Sequence, residues 1–214
     1  MSEKKNYPSK YFIVFEGIDG SGTSTQAEML ANFFINSGQK AVVSPEPSNG
    51  KIGQLIRTYL GGENDYNKID LFDQQMAYLF AADRFYHLYN NRDGVYELIN
   101  QNIHVISTRY YFSSLAYNGK TEKDYQFISV LNQKFPPPDL VIYLDLPVEL
   151  ALERMATRSH KEIYETKDKL VQVQNRFSDI FANYNHHLLK IDAKNKPDEI
   201  HLKIISYLQD NLFR

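Results

Sequence analysis

No cysteine and no tryptophan occurs among the 214 residues. Without thiols the chain has neither disulfides nor thiolate metal sites, and this absence leaves its redox compartment open. No apolar run approaches the roughly 18–20 residues of a membrane-spanning helix. Charge of one sign is also missing: 24 Lys and Arg against 26 Asp and Glu leave a net charge of −2. Such a balance gives no strong basic field for nucleic acid, and the basic residues are scattered rather than clustered. The start, Met1 to Lys10, is polar and charged and lacks the apolar stretch of a secretory signal. Neither nucleic acid nor membrane is therefore an expected partner, and the cytoplasm is the expected location. Repeats, low-complexity segments and long linkers are absent too. The length suits one domain, with room for a small inserted lid.

What is abundant is aromatic, with 16 Tyr and 13 Phe, and short apolar runs. Phe12–Phe15, Ala41–Val43, Ile103–Ile106, Leu140–Leu144 and Leu188–Ile191 read as strands buried on both faces of a parallel sheet. Helical stretches separate them. Thr25–Ser37 carries Ala27, Leu30, Ala31, Phe34 and Ile35 at helical spacing and stops at Gly38. Leu71–Tyr89, Leu150–Ala156, Lys169–Tyr184 and Asp198–Leu208 follow. Alternating strands and helices predict an α/β fold with an open parallel sheet of five strands flanked by helices. Ligands in such sheets bind beyond the C-terminal strand ends.

At the first such end stands Gly17-Ile18-Asp19-Gly20-Ser21-Gly22-Thr23-Ser24. The pattern G-x-x-x-x-G-K-[ST], after a strand and before a helix, is a phosphate-binding loop. Its glycines let successive N–H groups converge on an anion, and the helix starting near Thr23 adds its positive end. Spacing, glycines and the Ser24 hydroxyl, the position of a magnesium ligand, all fit. Thr23 stands where lysine is expected. A threonine donates a hydrogen bond but carries no charge, a loss worth roughly 3–4 kcal/mol of transition-state stabilisation unless another cation substitutes.

Further clusters carry chemistry: Leu79-Phe80-Ala81-Ala82-Asp83-Arg84 in the long helix; Thr108-Arg109-Tyr110 through Ser113-Ser114 to Tyr117-Asn118-Gly119 after the third strand; and Pro138-Asp139-Leu140 through Leu146, followed by Glu153-Arg154 and Arg158. With Phe15-Glu16-Gly17 and the late Ile191-Asp192-Ala193, they stand in the order and spacing of thymidylate kinases, which the chain resembles from about Tyr11 to Ile200. The resemblance implies a P-loop kinase fold with a short lid at about 155–167. It also implies transfer of a phosphoryl group from ATP to dTMP with Mg2+, and a homodimer. It makes Gly17, Asp19, Gly20, Ser21, Gly22, Thr23, Ser24 and Thr25 the ATP loop, with Ser24 on the metal and Arg154 against adenine. Arg109 would hold the acceptor phosphate and Phe80 would stack on thymine. Arg84 would face its carbonyl edge, and Ser114 and Tyr117 would line base and sugar. Asp19 would face deoxyribose and metal, with Glu46-Pro47 beside it. Single residues have plainer readings: Phe80 as core, Arg154 and Arg158 as a solvated helix face, and the pair His186-His187 as no ligand pair, because adjacent residues point apart on a helix.

The departures from that family fall at the chemistry. Besides Thr23, Thr108 replaces the aspartate expected before Arg109, and Pro45 replaces a frequent arginine. Gly20 excludes a loop arginine, and Ile163 stands where a lid arginine is expected, so Arg158 and Lys161 are the lid cations left to act with Asp19 and Arg109. Glu16 and Asp19 are nearby carboxylates that could support magnesium. The alternatives are a relative that binds nucleotides without turnover and a kinase of broader monophosphate specificity.

Overall fold

In the computed structural model, which describes residues 10–62, 69–156 and 163–213, the five expected strands lie in one sheet. They are β1 (Phe12–Glu16), β2 (Lys40–Val43), β3 (Ile103–Thr108), β4 (Leu140–Asp145) and β5 (Leu188–Asp192). The order is β2-β3-β1-β4-β5, with every pair parallel. All five β1 residues are buried, which explains an apolar run without alternation: helices cover both faces. The register sets Phe15 beside Thr108 and Glu16 beside Tyr143. The chain segments leaving β1 and β3 therefore emerge side by side, and the glycine loop and Arg109 start from neighbouring strand ends.

Helices expected from periodicity appear as α1 (Thr23–Asn36), α3 (Ile69–Tyr89), α7 (Val148–Met155), α8 (Lys167–Ala182) and α9 (Pro197–Asn211). Four further helices add to them: α2 (Lys51–Leu60), α4 (Val95–Asn100), α5 (Tyr111–Asn118) and α6 (Glu122–Asn132). Two or three turns give too few repeats for periodicity alone to separate helix from loop. Local chemistry marks α6, where Thr121 and Asp124 form a reciprocal capping box. The segment expected as a lid runs from the end of α7 to the start of α8, and its middle, 157–162, lies outside the described residues.

His104 shows how polar groups are accommodated inside the fold. Its ring is buried in β3, stacked on Phe34 with centroids 4.0 Å apart. Nδ1 accepts from the Tyr11 N–H at 3.3 Å, and Nε2 lies 2.7 Å from Gln39 Oε1. That pair of partners fits the neutral ring with its proton on Nε2. Burial, with a smaller push from Lys10, holds His104 down at about 4. A histidine depressed in the native state favours folding above its ordinary titration range near 6.5, and that contribution fades as the pH falls toward 4. Thermal unfolding should accordingly show about 2–3 kcal/mol lost between pH 7 and pH 4 through this one group. His104→Phe, which keeps the stack, should lose less stability over that interval than the parent. An equal loss in both proteins would show that His104 is not the group responsible.

Candidate active site

The glycine loop leaves β1 and turns into α1. Gly20 has φ +82°, and a Cβ there would lie 2.8 Å from the Ala151 carbonyl, so α7 packs against the loop only because that residue is glycine. No side chain caps α1 at its Gly22 N-cap. The first N–H groups of the helix therefore remain available to an anion. Gly20, Gly22, Thr23, Ser24 and Thr25 line one side of a cavity of about 280 Å³. Ser21 is buried, and its hydroxyl has no hydrogen-bond partner among the described residues. Across the cavity stand Pro45, Glu46, Pro47, Arg57, Thr108 and Arg109.

Arg109 follows β3 with φ +75°, an uncommon conformation for a residue bearing a side chain. Its N–H donates to the Phe15 carbonyl at 2.8 Å, fastening the turn to β1. The guanidinium then joins two segments, the glycine loop and α5. Nη2 meets Asp19 Oδ1 at 2.5 Å, and Nη1 donates to the Gly17 carbonyl at 3.2 Å and to Ser113 Oγ at 3.0 Å. The Tyr117 ring lies beneath it at 5.1 Å, and the Tyr117 hydroxyl donates to Asp19 Oδ2 at 2.8 Å. Asp19 thus engages both its oxygens.

Glu16 accounts for the positions of Ser113 and α5. It is fully buried at the end of β1, and its carboxylate accepts from the Tyr110 N–H at 2.8 Å, the Ser113 N–H at 3.3 Å and the Ser113 hydroxyl at 2.6 Å. Tyr110 is the N-cap of α5 and offers no side-chain cap of its own. A carboxylate from another strand therefore satisfies that helix start. Glu16 is turned into the β3–α5 junction and lines neither cavity of the site. Burial raises it to about 7, against the pull of Arg109 and the bonds from Ser113 and Tyr110.

A second cavity, of about 170 Å³, adjoins the first. It is lined by Phe80, Arg84, Ser113, Ser114, Tyr117 and Asn118, closed by Leu60, Tyr110 and Tyr164. Asp19, Glu46, Pro47, Arg57 and Arg109 border both cavities. Arg84 is buried: it donates through Nε to Glu46 at 2.9 Å, through Nη1 to Asn132 at 2.5 Å and through Nη2 to Ser114 at 3.2 Å. Glu46 also faces His87 Nδ1 at 3.1 Å, and Asp83 accepts from the Ser48 N–H and hydroxyl, both at 2.6 Å. One face of α3 therefore grips the 44–48 loop. Removing either member of the buried Arg84–Glu46 pair leaves a charge without its partner, at about 3–5 kcal/mol.

Arg154 donates to the Gly20 carbonyl at 3.4 Å and to the Ala193 carbonyl at 3.0 Å, beside the loop but in neither cavity wall. Arg158 and Lys161 lie outside the described residues. Sequence reasoning assigned no role to Arg57, Ser113, Asn118 or Tyr164. The Tyr164 hydroxyl donates to Asp73 at 2.6 Å and accepts from the Asn118 amide at 3.0 Å. For Arg57 only a short signal existed: Ile52, Ile56, Tyr59 and Leu60 recur at helical spacing, over too few turns to assign α2 alone.

A glycine loop opening a helix, an arginine at the neighbouring strand end and two joined cavities define a phosphotransferase of the P-loop kinase class. The thymidylate kinase family model matches residues 15–204. A protein named "Probable thymidylate kinase" from Methanococcus aeolicus is 40% identical over 205 residues, covering 93% of this chain and 96% of that one. One of the same name from Methanocaldococcus jannaschii is 37% identical over 203 residues, with 93% and 96% covered. The structure of Candida albicans thymidylate kinase superimposes with a TM-score of 0.75 at 24% identity, covering 96% of this chain and 93% of that one, a likeness of fold. The chain belongs to the thymidylate kinase family.

Because Glu16 is raised in the folded protein, its contribution to stability is complete below the ordinary carboxylate range, near 4.5, and is lost as the pH rises through 7. Glu16→Gln mimics the protonated acid. Its unfolding free energy relative to the parent's should rise by about 2–3 kcal/mol between pH 5 and pH 8, since the contribution of His104 is common to both proteins. Parallel pH profiles for the two proteins would rule Glu16 out as the source.

Proposed function

We propose that this protein transfers the terminal phosphoryl group of ATP to dTMP, giving ADP and dTDP. The observation that carries this reading is the wall shared by the two cavities, with Arg109 and Asp19 at the junction. The glycine-loop cavity suits a triphosphate; the aromatic-lined one suits a nucleoside monophosphate. The bond from the terminal phosphorus to its bridging oxygen breaks as a bond forms to an oxygen of the dTMP phosphate, and no proton is taken up or released. Catalysis of such a transfer consists mainly of positioning and charge neutralisation.

In this reading Arg109 grips the acceptor phosphate through two parallel donors. Phe80 stacks on thymine, while Arg84 and Ser114 face the base edge. The Tyr117 ring lies against the sugar and Asp19 orients the deoxyribose end, with Glu46-Pro47 completing the wall. Arg154 serves adenine, and Arg158 and Lys161 act from the lid at about 155–167 of a single domain. Magnesium fits the residues present: Ser24 lines the loop cavity and Thr108 faces it, and this ion keeps several waters and binds phosphates with few protein ligands. Ser24 would hold it there, and when bound it neutralises charge on the phosphate oxygens. Among the described residues no helix is long and apolar enough to cross a membrane.

One observation favours a second reading, binding without turnover: Thr23 and Thr108 take the places of a lysine and an aspartate. ADP formation from magnesium-ATP, with and without dTMP, separates the two. Turnover should require dTMP, and Arg109→Ala should lower it by about 100-fold or more. Near-normal turnover in that variant would contradict the assignment of Arg109. Tight dTMP binding without any ADP would establish the second reading.

A homodimer is the other part of the proposal. The outward face of α3 exposes Tyr78, Phe85, Tyr86 and Tyr89, and α6 adds Val130; Phe85 and Val130 are each 61% exposed. Phe85, Tyr89, Val130, Leu131 and Phe135 line a surface groove. Contiguous exposed aromatics of this kind mark an association surface, and a second copy meets it isologously. Phe85→Asp should convert a dimer into a monomer in sedimentation analysis. A parent protein that sediments as a monomer at micromolar concentration would remove the proposal.

A further inference from the structure

We propose that Arg57 supplies, from across the loop cavity, the positive charge that the glycine loop lacks at Thr23; this rests on the phosphotransfer reading above. Arg57 and Thr23 line the same cavity, and Arg57 also lines the adjoining one, so the residue stands in the wall shared by the two cavities. Two arginines border both cavities, and their charges are in different states. Arg109 is paired with Asp19 at 2.5 Å. Arg57 donates to the carbonyls of Ser48, at 2.7 Å, and Pro47, and no carboxylate among the described residues pairs with it. Glu46, the other acid in the shared wall, is engaged by Arg84 and His87. The charge of Arg57 is therefore oriented by neutral groups and left unopposed.

The local build favours a fixed position for it. A Cβ at Gly53 would collide with the Ser48 carbonyl, so glycine lets α2 press directly on the loop that holds Arg57. The carbonyl that Gly53 admits is the one that accepts from Arg57 one turn later in the helix. Two of five guanidinium N–H groups are named in these bonds, which leaves donors for phosphate oxygens. A planar fork that reaches two oxygens suits a charge shared between two phosphates better than a threonine hydroxyl does.

The test uses the full chain and a bisubstrate probe, adenosine and thymidine joined 5′ to 5′ through a pentaphosphate, which spans both cavities. Arg57→Gln retains hydrogen bonding and removes the charge. Calorimetric titration should show the probe bound about 10-fold or more weakly, and kcat should fall by about 100-fold with the KM for dTMP changing little. Adding Thr23→Lys to Arg57→Gln should recover about 10-fold in both quantities. Methylguanidinium added to Arg57→Ala should likewise restore turnover, which covers the case of a lysine that disturbs the loop. Unchanged probe affinity in Arg57→Gln would overturn the inference. So would a raised KM for dTMP with unchanged kcat, which marks a contact to the acceptor alone, or a failure of both restorations. A parent chain that binds the probe without turning over substrates would defeat the phosphotransfer reading, while the affinity comparison still decides for or against Arg57.

Discussion

Two parallel strands ending side by side create the problem that the rest of this site solves. β1 delivers the glycine loop and β3 delivers Arg109, and the two exits lie within hydrogen-bond reach. A guanidinium at that point must be kept from collapsing onto the nearest carboxylate in an arbitrary pose, and its burial must be compensated. The structure does both with one network. Arg109 is held by Asp19, the Gly17 carbonyl, Ser113 and the Tyr117 ring, and Ser113 is itself held by Glu16. Glu16 belongs to the strand that becomes the phosphate loop. Arg109 and the glycine loop are thereby referenced to one residue, and the left-handed backbone at Arg109 is sustained by bonds on both sides of it.

The charges at this junction follow a different plan from a loop with lysine and a strand end with aspartate. Loss of one group of each sign leaves the formal charge of the cavity unchanged, but moves its centre. What remains positive is supplied from α2 and from the β3–α5 turn, on the wall opposite the loop. What the loop itself contributes is the open start of α1 and hydroxyls. Hydroxyls and N–H groups are weaker partners for phosphate than an ammonium, but they do not depend on a flexible four-carbon stem. Positioning then carries a larger share of the work, which agrees with the extent to which the 44–48 loop is clamped by Asp83, Arg84 and His87.

The sequence made the sheet legible because its central strands β1, β3 and β4 are almost wholly buried, the edge strands β2 and β5 keep short apolar runs, and each expected strand lies within one or two residues of the observed bounds. The phosphate loop was legible because its spacing is local. The parts that were not legible depend on distant residues. The N-cap of α5 is satisfied by Glu16, 94 positions from Tyr110 in sequence, and nothing near Tyr110 signals it. Arg84 was expected beside an open base edge; the structure shows it lining the cavity with its nitrogens already bonded to Glu46, Asn132 and Ser114. Arg57 went unremarked because α2 was unassigned, and only the helix brings that side chain to the shared wall.

α3 joins these features to the surface. Within one helix, Phe80, Asp83, Arg84 and His87 face the site and its supporting loop, while Tyr78, Phe85 and Tyr89 face outward. Residues 84 and 85 are neighbours in sequence, yet one is 1% exposed and the other 61%, because successive residues of a helix point about 100° apart. A partner seated on the outer face would press on the same rigid rod that fixes Glu46, Ser48 and Ser114. Association would then limit the rocking of α3 without contributing any group to the chemistry. Packed helices shift as units rather than bending locally. A substitution on the outer face that weakens such an association should therefore be felt first at the cavity that Phe80 and Arg84 line, and should reach the glycine loop only through α5, whose Tyr117 holds Asp19.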